Sequence, residues 1–583
     1  MGNTQSSNLT SSTRSVRRRR SVPVLSRISL GCTSVHSSVF SSDSSQEISH
    51  LSLGLSEKHK YSDRPSEDPP PSQLTEYSSN VAYSPTADGL SAGAGEAYER
   101  FLQEYPQYRL TWILDSLRRS DYRRLGRLGE TYVDYMGGSL YPESLIRVHA
   151  EFLSENILGN THSVSNSSKL SLKCADEARA AILLFFKAPP EYTVVFTPNA
   201  SGALKLVGEA YPFTGGSSFV LPADAHNSVH GIREFATCQD ARVAYISSTH
   251  HGGFDVNLAK TLLQRHRPRA RDGPPSLFAM TGLSNITNSK TPLSIIEYAS
   301  SLGYHTLLDA AALAATSPIS LSETPVDAMA VSFYKMFGFP TGVGALVVRK
   351  TFLRQLKRPW FAGGTVQVVQ VPGNLFTRSH DMHEQFEDGT INYLTLPAVT
   401  DGLRFLSAYL PFLPMRLSCL TDYAVTALAR LRHESTGIPV VRILSRRPTT
   451  RIRSIGEQSE TGSIIALIFS FPTGEMIPNS FVEYSASKTN ISLRTGCMCN
   501  PGGAAAILGI ADHMQQLYPG VTLKDFEDTV GRELGVVRIS LGLGSNFQDV
   551  WNVIQFASTM ACERSRNLLW DSWMESSGIG QAI

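Results

Sequence analysis

A lysine at position 335 sits between two apolar stretches, in Val331-Ser332-Phe333-Tyr334-Lys335-Met336-Phe337-Gly338-Phe339-Pro340-Thr341-Gly342, followed by Val343-Gly344-Ala345-Leu346-Val347-Val348. Such a lysine is desolvated, which favours its neutral amine and makes it a candidate Schiff-base nucleophile. The plainer alternative is a stem that packs while the head reaches water. Asp309 closes the apolar run His305-Thr306-Leu307-Leu308, at the carboxyl end of an expected parallel strand. Ligands of open α/β sheets sit at such ends. A carboxylate buried there needs a cationic partner. A protonated pyridine nitrogen is one, and that proton is what makes pyridoxal phosphate an electron sink. An Asp capping the helix that starts near Ala310 is the rival reading.

Two further strand ends carry candidates. Phe196-Thr197-Pro198-Asn199-Ala200-Ser201-Gly202-Ala203-Leu204 runs from strand to helix. Its small residues let backbone N–H groups approach an anion such as a phosphate at the helix N-terminus, although ordinary strand-to-helix turns look similar. His226, in Leu221-Pro222-Ala223-Asp224-Ala225-His226-Asn227-Ser228, offers an imidazole that stacks on a ring or relays a proton, against the alternative of an ordinary loop histidine. In Arg494-Thr495-Gly496-Cys497-Met498-Cys499-Asn500-Pro501-Gly502, glycine and proline make a loop, and an arginine beside two thiols favours a nucleophilic thiolate. No second cysteine pair or nearby histidine completes a four-ligand metal site there, and two structural thiols are the remaining alternative. Arg538, inside the strand-like Val537-Arg538-Ile539-Ser540, is suited to a bidentate anion such as a substrate carboxylate, or to a structural ion pair.

The elements that must hold these residues are legible as seven buried-looking runs: Thr193–Thr197, Ser218–Pro222, Ala241–Ser247, Ser276–Thr281, His305–Leu308, Ala328–Ser332 and Gly344–Arg349. Helix-length segments separate them, which predicts a mostly parallel, helix-covered sheet. Pro411–Arg432 reads as helix, and Glu483–Leu541 mixes strand and helix, as a smaller α/β domain would. Arg265–Pro275 and Arg446–Gly462 read as surface insertions. The expected division is a tail over 1–95, a large domain over 96–400, a smaller one over 401–565 and a C-terminal tail over 566–583. The chain of 583 residues carries 53 Lys and Arg against 51 Asp and Glu, a net +2, which argues against a dedicated nucleic-acid binder. Seven cysteines in this length are no disulfide scaffold and point to a reducing compartment. No apolar run reaches the ~20 residues that cross a bilayer.

The Ser-rich start is too poor in large apolar residues to fold and reads as disordered. Gly2 and Ser6 satisfy the pattern for N-myristoylation, and Arg17–Arg20 would add attraction to anionic lipid, giving a cytoplasmic protein weakly attached to membrane. The absence of acids before Asp43 also fits a mitochondrial presequence, and the arginine run also fits a nuclear signal or a solvated tail.

Taken together, Phe196–Val207, Asp224–Arg233, Leu283–Thr287, Leu308–Ala311, Ser332–Arg349, Phe361–Thr365, Phe386–Thr390, Arg494–Gly502 and Val537–Gly542 resemble the class V, NifS-like branch of fold-type I pyridoxal-phosphate enzymes. More narrowly, they resemble the N-terminal desulfurase domain of molybdenum cofactor sulfurases. The resemblance implies a homodimer with pyridoxal 5'-phosphate bound covalently to Lys335, the ring nitrogen on Asp309 and His226 stacked on the ring. It implies phosphate contacts from Ala200, Ser201, Ser332 and Tyr334, and from Thr365 toward the second subunit. Asn285 would lie near the ring hydroxyl, Arg538 and Arg494 near the substrate carboxylate, and Cys499 would take sulfur from L-cysteine as a persulfide beside Cys497.

Three departures stand out. Ala312 replaces a glutamine common in desulfurases, and Asp134-Tyr135-Met136-Gly137-Gly138 replaces a His-Ala-Gly segment. The short stretch after Gly542 leads to the expectation that sulfur passes in trans, to the molybdenum cofactor or its carrier protein. The alternatives are another class V enzyme, a lyase or epimerase on a different amino acid, or a non-catalytic scaffold of this fold.

Overall fold

Strands whose residues alternate between two apolar cores need cover on both faces, and the computed structural model, described for residues 93–269 and 273–577, is built that way. The seven expected runs are seven strands: β1 (Tyr192–Thr197), β2 (Ser218–Pro222), β3 (Arg242–Ile246), β4 (Leu277–Thr281), β5 (His305–Asp309), β6 (Ala328–Ser332) and β7 (Gly344–Arg349). In β4, Phe278 and Met280 join one core while Leu277 and Ala279 join the other. Helices supply both covers, so these strands read as continuous apolar runs rather than alternating ones.

The sheet order is β1-β7-β6-β5-β4-β2-β3. Only β7 runs against its neighbours, pairing antiparallel with β1 and β6, while the other four pairings are parallel. Six strands therefore present their carboxyl ends to one edge. At that edge Gly344 stands level with Thr197 and Ser332. A Cβ on Gly344 would lie 2.6 Å from the Val331 carbonyl oxygen and 2.7 Å from the Asn199 Cα, so only glycine admits so close a turn there.

A second sheet is antiparallel, in the order β8-β9-β11-β10, from β8 (Val441–Ile443), β9 (Ile464–Phe469), β10 (Arg494–Gly496) and β11 (Val536–Ser540). The segment before the first sheet joins this second one. Thr131 and Tyr132 pair with Ile491 and Ser492, and Asp134 bridges to Ser540. The grouping of this segment with residues 96–400 thus gives way to pairing across the length of the chain. The start of the expected tail at 566 is likewise helical. Glu563–Ser577 is one 15-residue helix that sets Trp570 and Trp573 against Phe481. The helix expected over 411–432 runs from Leu413 to Arg430.

Arg416 of that helix is fully buried. It pairs with Asp115 and donates to Ser545 O at 3.0 Å and Thr111 Oγ1 at 3.2 Å. Arg416→Met should lower unfolding stability by about 3 kcal/mol, the low end for breaking a buried pair, because Asp115 keeps some contact with water. The shift of the urea midpoint measures it, and an unchanged midpoint would show that the pair contributes nothing.

No helix among the described residues is long and apolar enough to cross a membrane. Gly2, the arginine run and the segment read as a disordered tail lie outside the described residues.

Candidate functional site

The edge where six strands end carries a cavity of about 160 Å³. Lys335, Asp309, His226, Ala200, Ser201, Ser332, Tyr334 and Asn285 all line it. The amine and the acid thus meet in one chamber because Asp309 ends β5 while Lys335 follows the end of neighbouring β6.

The turn after β1 opens an 11-residue helix, α1 (Ala200–Ala210). Asn199 caps it by accepting from Gly202 N at 2.9 Å. Ala200 N donates to Ser332 Oγ at 2.8 Å, and the Ser201 and Ser228 hydroxyls share a hydrogen bond of 2.6 Å. Three hydroxyls and a helix N-terminus therefore converge, a set suited to a phosphate. Lys335 lies in the single turn α2 (Phe333–Phe337), which Gly338 ends at φ 85. A side chain on Gly338 would strike the backbone of Tyr141, so the turn is fixed by close contact as well.

The Lys335 amine makes no hydrogen bond or ion pair among the described residues. Burial pushes its pKa below 10.5; Arg538 and Arg494 push the same way, and Asp309 and Cys499 oppose them. Asp309 is 5% exposed; its Oδ1 accepts from Ala311 N at 3.1 Å, and its Oδ2 is left without a partner among the described residues. His226 Nδ1 accepts from Ser228 N at 3.1 Å, so the neutral ring carries its proton on Nε2. These groups fit the pyridoxal phosphate that the resemblance implies. A buried amine lacks a partner, a buried carboxylate has a free oxygen, an imidazole faces the same space, and hydroxyls cluster where a phosphate would lie. Ala312, in place of the common glutamine, lines the cavity without a polar group.

Thr365, Arg538, Arg494 and the two thiols stand apart from the lining. Thr365 is fully buried, its hydroxyl bonded to Ala362 N and O at 2.9 Å. Arg538 and Arg494 both hold Asp134, through Arg538 Nη2 to Oδ1 at 2.6 Å and Arg494 Nε to Oδ2 at 3.0 Å. Arg538 also donates to Asn285 O at 3.1 Å, and its buried Nε is unpartnered. Burial lowers the Arg538 pKa, against the pull of Asp134. Asn285 is committed to the thiol loop, donating Nδ2 to Met498 O at 2.6 Å and accepting from Asn500 at 3.2 Å. Cys499 is exposed and Cys497 half-buried, with burial raising the Cys497 thiol pKa. The expected surface insertion at 446–462 is partly anchored, since Ile452 and Thr461 are buried.

Sequence reading assigned no role to Asp134, which sits between two arginines, nor to Ser228 and Thr281 in the lining. The only signal for Asp134 was the pair of glycines after it. A side chain on Gly137 would collide with the Asp134 carboxylate and Arg494.

Burial also holds His149, His226, His230, His266, His305 and His383 below 6.5. The unfolded chain takes these protons near pH 6.5 and the folded chain only at lower pH, so in between the unfolded state binds more protons. Their contribution is complete above that value and is lost as pH falls toward the folded pKa values. The Tm of the cofactor-free protein should therefore fall steadily from about pH 6.5 to 5. A flat or rising Tm over that interval would contradict neutral buried imidazoles.

Residues 131–553 match the family model described as Aminotransferase class-V. The chain is 32% identical over 498 residues to the molybdenum cofactor sulfurase of Solanum lycopersicum, covering 79% of this chain and 59% of the relative. It is 34% identical over 465 residues to that of Bos taurus, covering 76% and 51%. It therefore spans little more than half the length of these curated relatives. Among solved structures, the apo cysteine desulfurase of Thermococcus onnurineus NA1 superposes with TM-score 0.59 at 20% identity, covering 77% of this chain and 98% of that one. The cysteine desulfurase CsdA of Escherichia coli gives 0.58 at 19%, covering 78% and 98%. At these identities the solved structures establish the fold.

Proposed function

Because this chain belongs to the class-V aminotransferase family, we propose that it binds pyridoxal phosphate in the cavity of Lys335 and Asp309 and moves sulfur from L-cysteine onto Cys499. The observation that carries this reading is the Lys335 amine, unpartnered among the described residues, which shares one chamber with the Asp309 oxygen left free among them and with His226, while Cys499 is near enough to influence its charge. The sulfurase and desulfurase names of the relatives support the same reading.

When bound, pyridoxal phosphate supplies an aldehyde for an amine and a ring that withdraws electrons from the substrate's α-carbon. Lys335 would hold it covalently at rest and then, released by the substrate's own amine, move a proton at the substrate Cα. Its lowered pKa favours the neutral amine that both tasks require. The free oxygen of Asp309 would accept from the ring nitrogen, and the neutral His226 would lie against the ring face. Ser201, Ser228 and Ser332 would hold the phosphate at the start of α1. The buried Nε of Arg538, unpartnered among the described residues, would be the donor for a substrate carboxylate, in a guanidinium held by Asp134. Cys499 Sγ would attack the substrate sulfur; the carbon–sulfur bond would break, a sulfur–sulfur bond would form, and the carbon would take a proton. L-cysteine and a thiol become L-alanine and a persulfide.

The acceptor we propose is the molybdenum cofactor or a protein that carries it, as the relatives' names suggest. A second copy of the chain would complete the site near Thr365. For Gly2 the proposal is a myristoyl group, and an intact mass from a eukaryotic host without that adduct removes it.

The test is direct. The protein loaded with pyridoxal phosphate is mixed with L-cysteine, alanine is measured, and any persulfide is mapped by mass spectrometry. Stoichiometric alanine with added sulfur on Cys499 is expected. No alanine from cysteine, with turnover of another amino acid, would move the assignment to a lyase or epimerase.

A further inference from the structure

Asp224 is a buried carboxylate that no residue of the described chain meets with a cation. It is satisfied by four donors instead. Its Oδ1 accepts from Ser284 Oγ at 2.6 Å and Asn500 Nδ2 at 2.7 Å, and its Oδ2 from Thr287 Oγ1 at 2.6 Å and Gly253 N at 2.7 Å. These donors come from three separate loops, and one belongs to the residue directly after Cys499.

The loop they hold has an unusual backbone. Met498 and Cys499 are consecutive non-glycine residues in the left-handed region, at φ 56 and φ 54. Two such residues in a row persist only where surroundings over-determine them. Here three clamps do so. Asn285 Nδ2 donates to Met498 O, Asn227 N donates to Cys499 O at 2.7 Å, and the Asn500 side chain is locked by Asp224. Asn500 is fully buried, and its Oδ1 accepts from Gly503 N at 3.0 Å, capping the next helix, Pro501–Leu508. Gly502 and Gly503 let that helix press on Ala223 and Asp224, where any side chain would collide. Asp224 is also two residues from His226, and Asn285 lines the cavity. One carboxylate thus ties the thiol-bearing loop to the wall on which the cofactor would lie.

We propose that Asp224 is a positioning residue that, through Asn500, docks the Cys499 loop in the geometry for sulfur transfer. This rests on the assignment of Cys499 as the sulfur acceptor. The thiol is carried on a docked turn whose shape depends on the carboxylate, and loosening that turn should slow sulfur transfer while leaving cofactor and substrate binding in place.

The experiment compares the loaded protein with Asp224→Asn, Asn500→Ala and the exchanged pair Asp224→Asn with Asn500→Asp. Asp224→Asn turns an amide N–H toward donors, and Asn500→Ala removes the loop side alone. Both should raise hydrogen–deuterium exchange of the peptide spanning 494–503 by about tenfold or more, while peptides of the seven-stranded sheet keep their protection. Persulfide formation on Cys499 should fall about 100-fold, as small misplacements of reacting groups do, with KM for cysteine and the visible absorbance of the bound cofactor unchanged. The exchanged pair restores an amide facing a carboxylate and should recover at least about tenfold of the loss. Unchanged exchange over 494–503 in Asn500→Ala would overturn the proposal, as would a loss of cofactor absorbance or a rise in KM as large as the loss in kcat. If Cys499→Ala still passed sulfur normally, the reaction assignment would fail, whereas the exchange data would still decide whether Asp224 docks the loop.

Discussion

Lys335→Ala abolishes the visible absorbance of the protein loaded with pyridoxal phosphate and lowers alanine formation from cysteine by about 10⁴-fold or more. The size follows from losing two functions at once, the covalent tether and the proton carrier at Cα, since positioned acid–base groups alone contribute roughly 10²–10⁴. The physical basis is the isolation of the amine. Among the described residues it has no hydrogen-bond partner, burial lowers its pKa, and the carboxylate in the same chamber is Asp309. Folding should survive, because the change deletes a desolvated, unpaired polar group and its thermal midpoint should stay within a few degrees of wild type. Borohydride reduction followed by peptide mapping gives an independent reading: the cofactor mass should appear on Lys335 in the wild-type chain and on no residue in the variant. An adduct on another lysine, with activity retained, would move the site elsewhere.

Cys499→Ala should keep the cofactor absorbance and the spectral response to added cysteine, yet lose persulfide and slow alanine formation by about 100-fold or more. Alanine is a fair replacement, since the left-handed φ of 54 imposes the same backbone demand on both residues. Cys497 provides the contrast. It is half-buried, and burial and the neighbouring Glu527 raise its pKa, which disfavours its thiolate relative to an ordinary cysteine. Cys497→Ala should therefore cost less than about threefold. If the two variants exchanged these phenotypes, Cys497 would be the carrier, and the exposed loop position would have misled the assignment.

Much of the site was legible because its signals are local. The chain runs into the carboxyl end of a buried strand at Thr197, Pro222, Thr281, Asp309 and Ser332, and the residue types placed just there are the ones that line the cavity. Strand detection needed only short apolar runs, and all seven appear within a residue or so of the expected limits. The direction of β7 was not legible, since a buried run looks the same read either way; its antiparallel course shows only in its pairing with β1 and β6. The partners of the arginines were not legible either. Asp134 lies 404 residues from Arg538 and 360 from Arg494, and nothing in the composition of either segment announces the other.

Which residues carry chemical capacity and which short segments are strands can be read along the chain, because burial preference and backbone propensity act over a few neighbouring residues. Tertiary structure alone decided how that capacity is arranged: that Asp134 holds two arginines, that Asn285 serves the thiol loop, and that Asp224 ties three loops together. Those contacts join residues from 29 to 404 positions apart. Their partners are selected by the packing of two sheets and their helices, and a buried polar group takes whichever donors that packing brings within hydrogen-bonding distance.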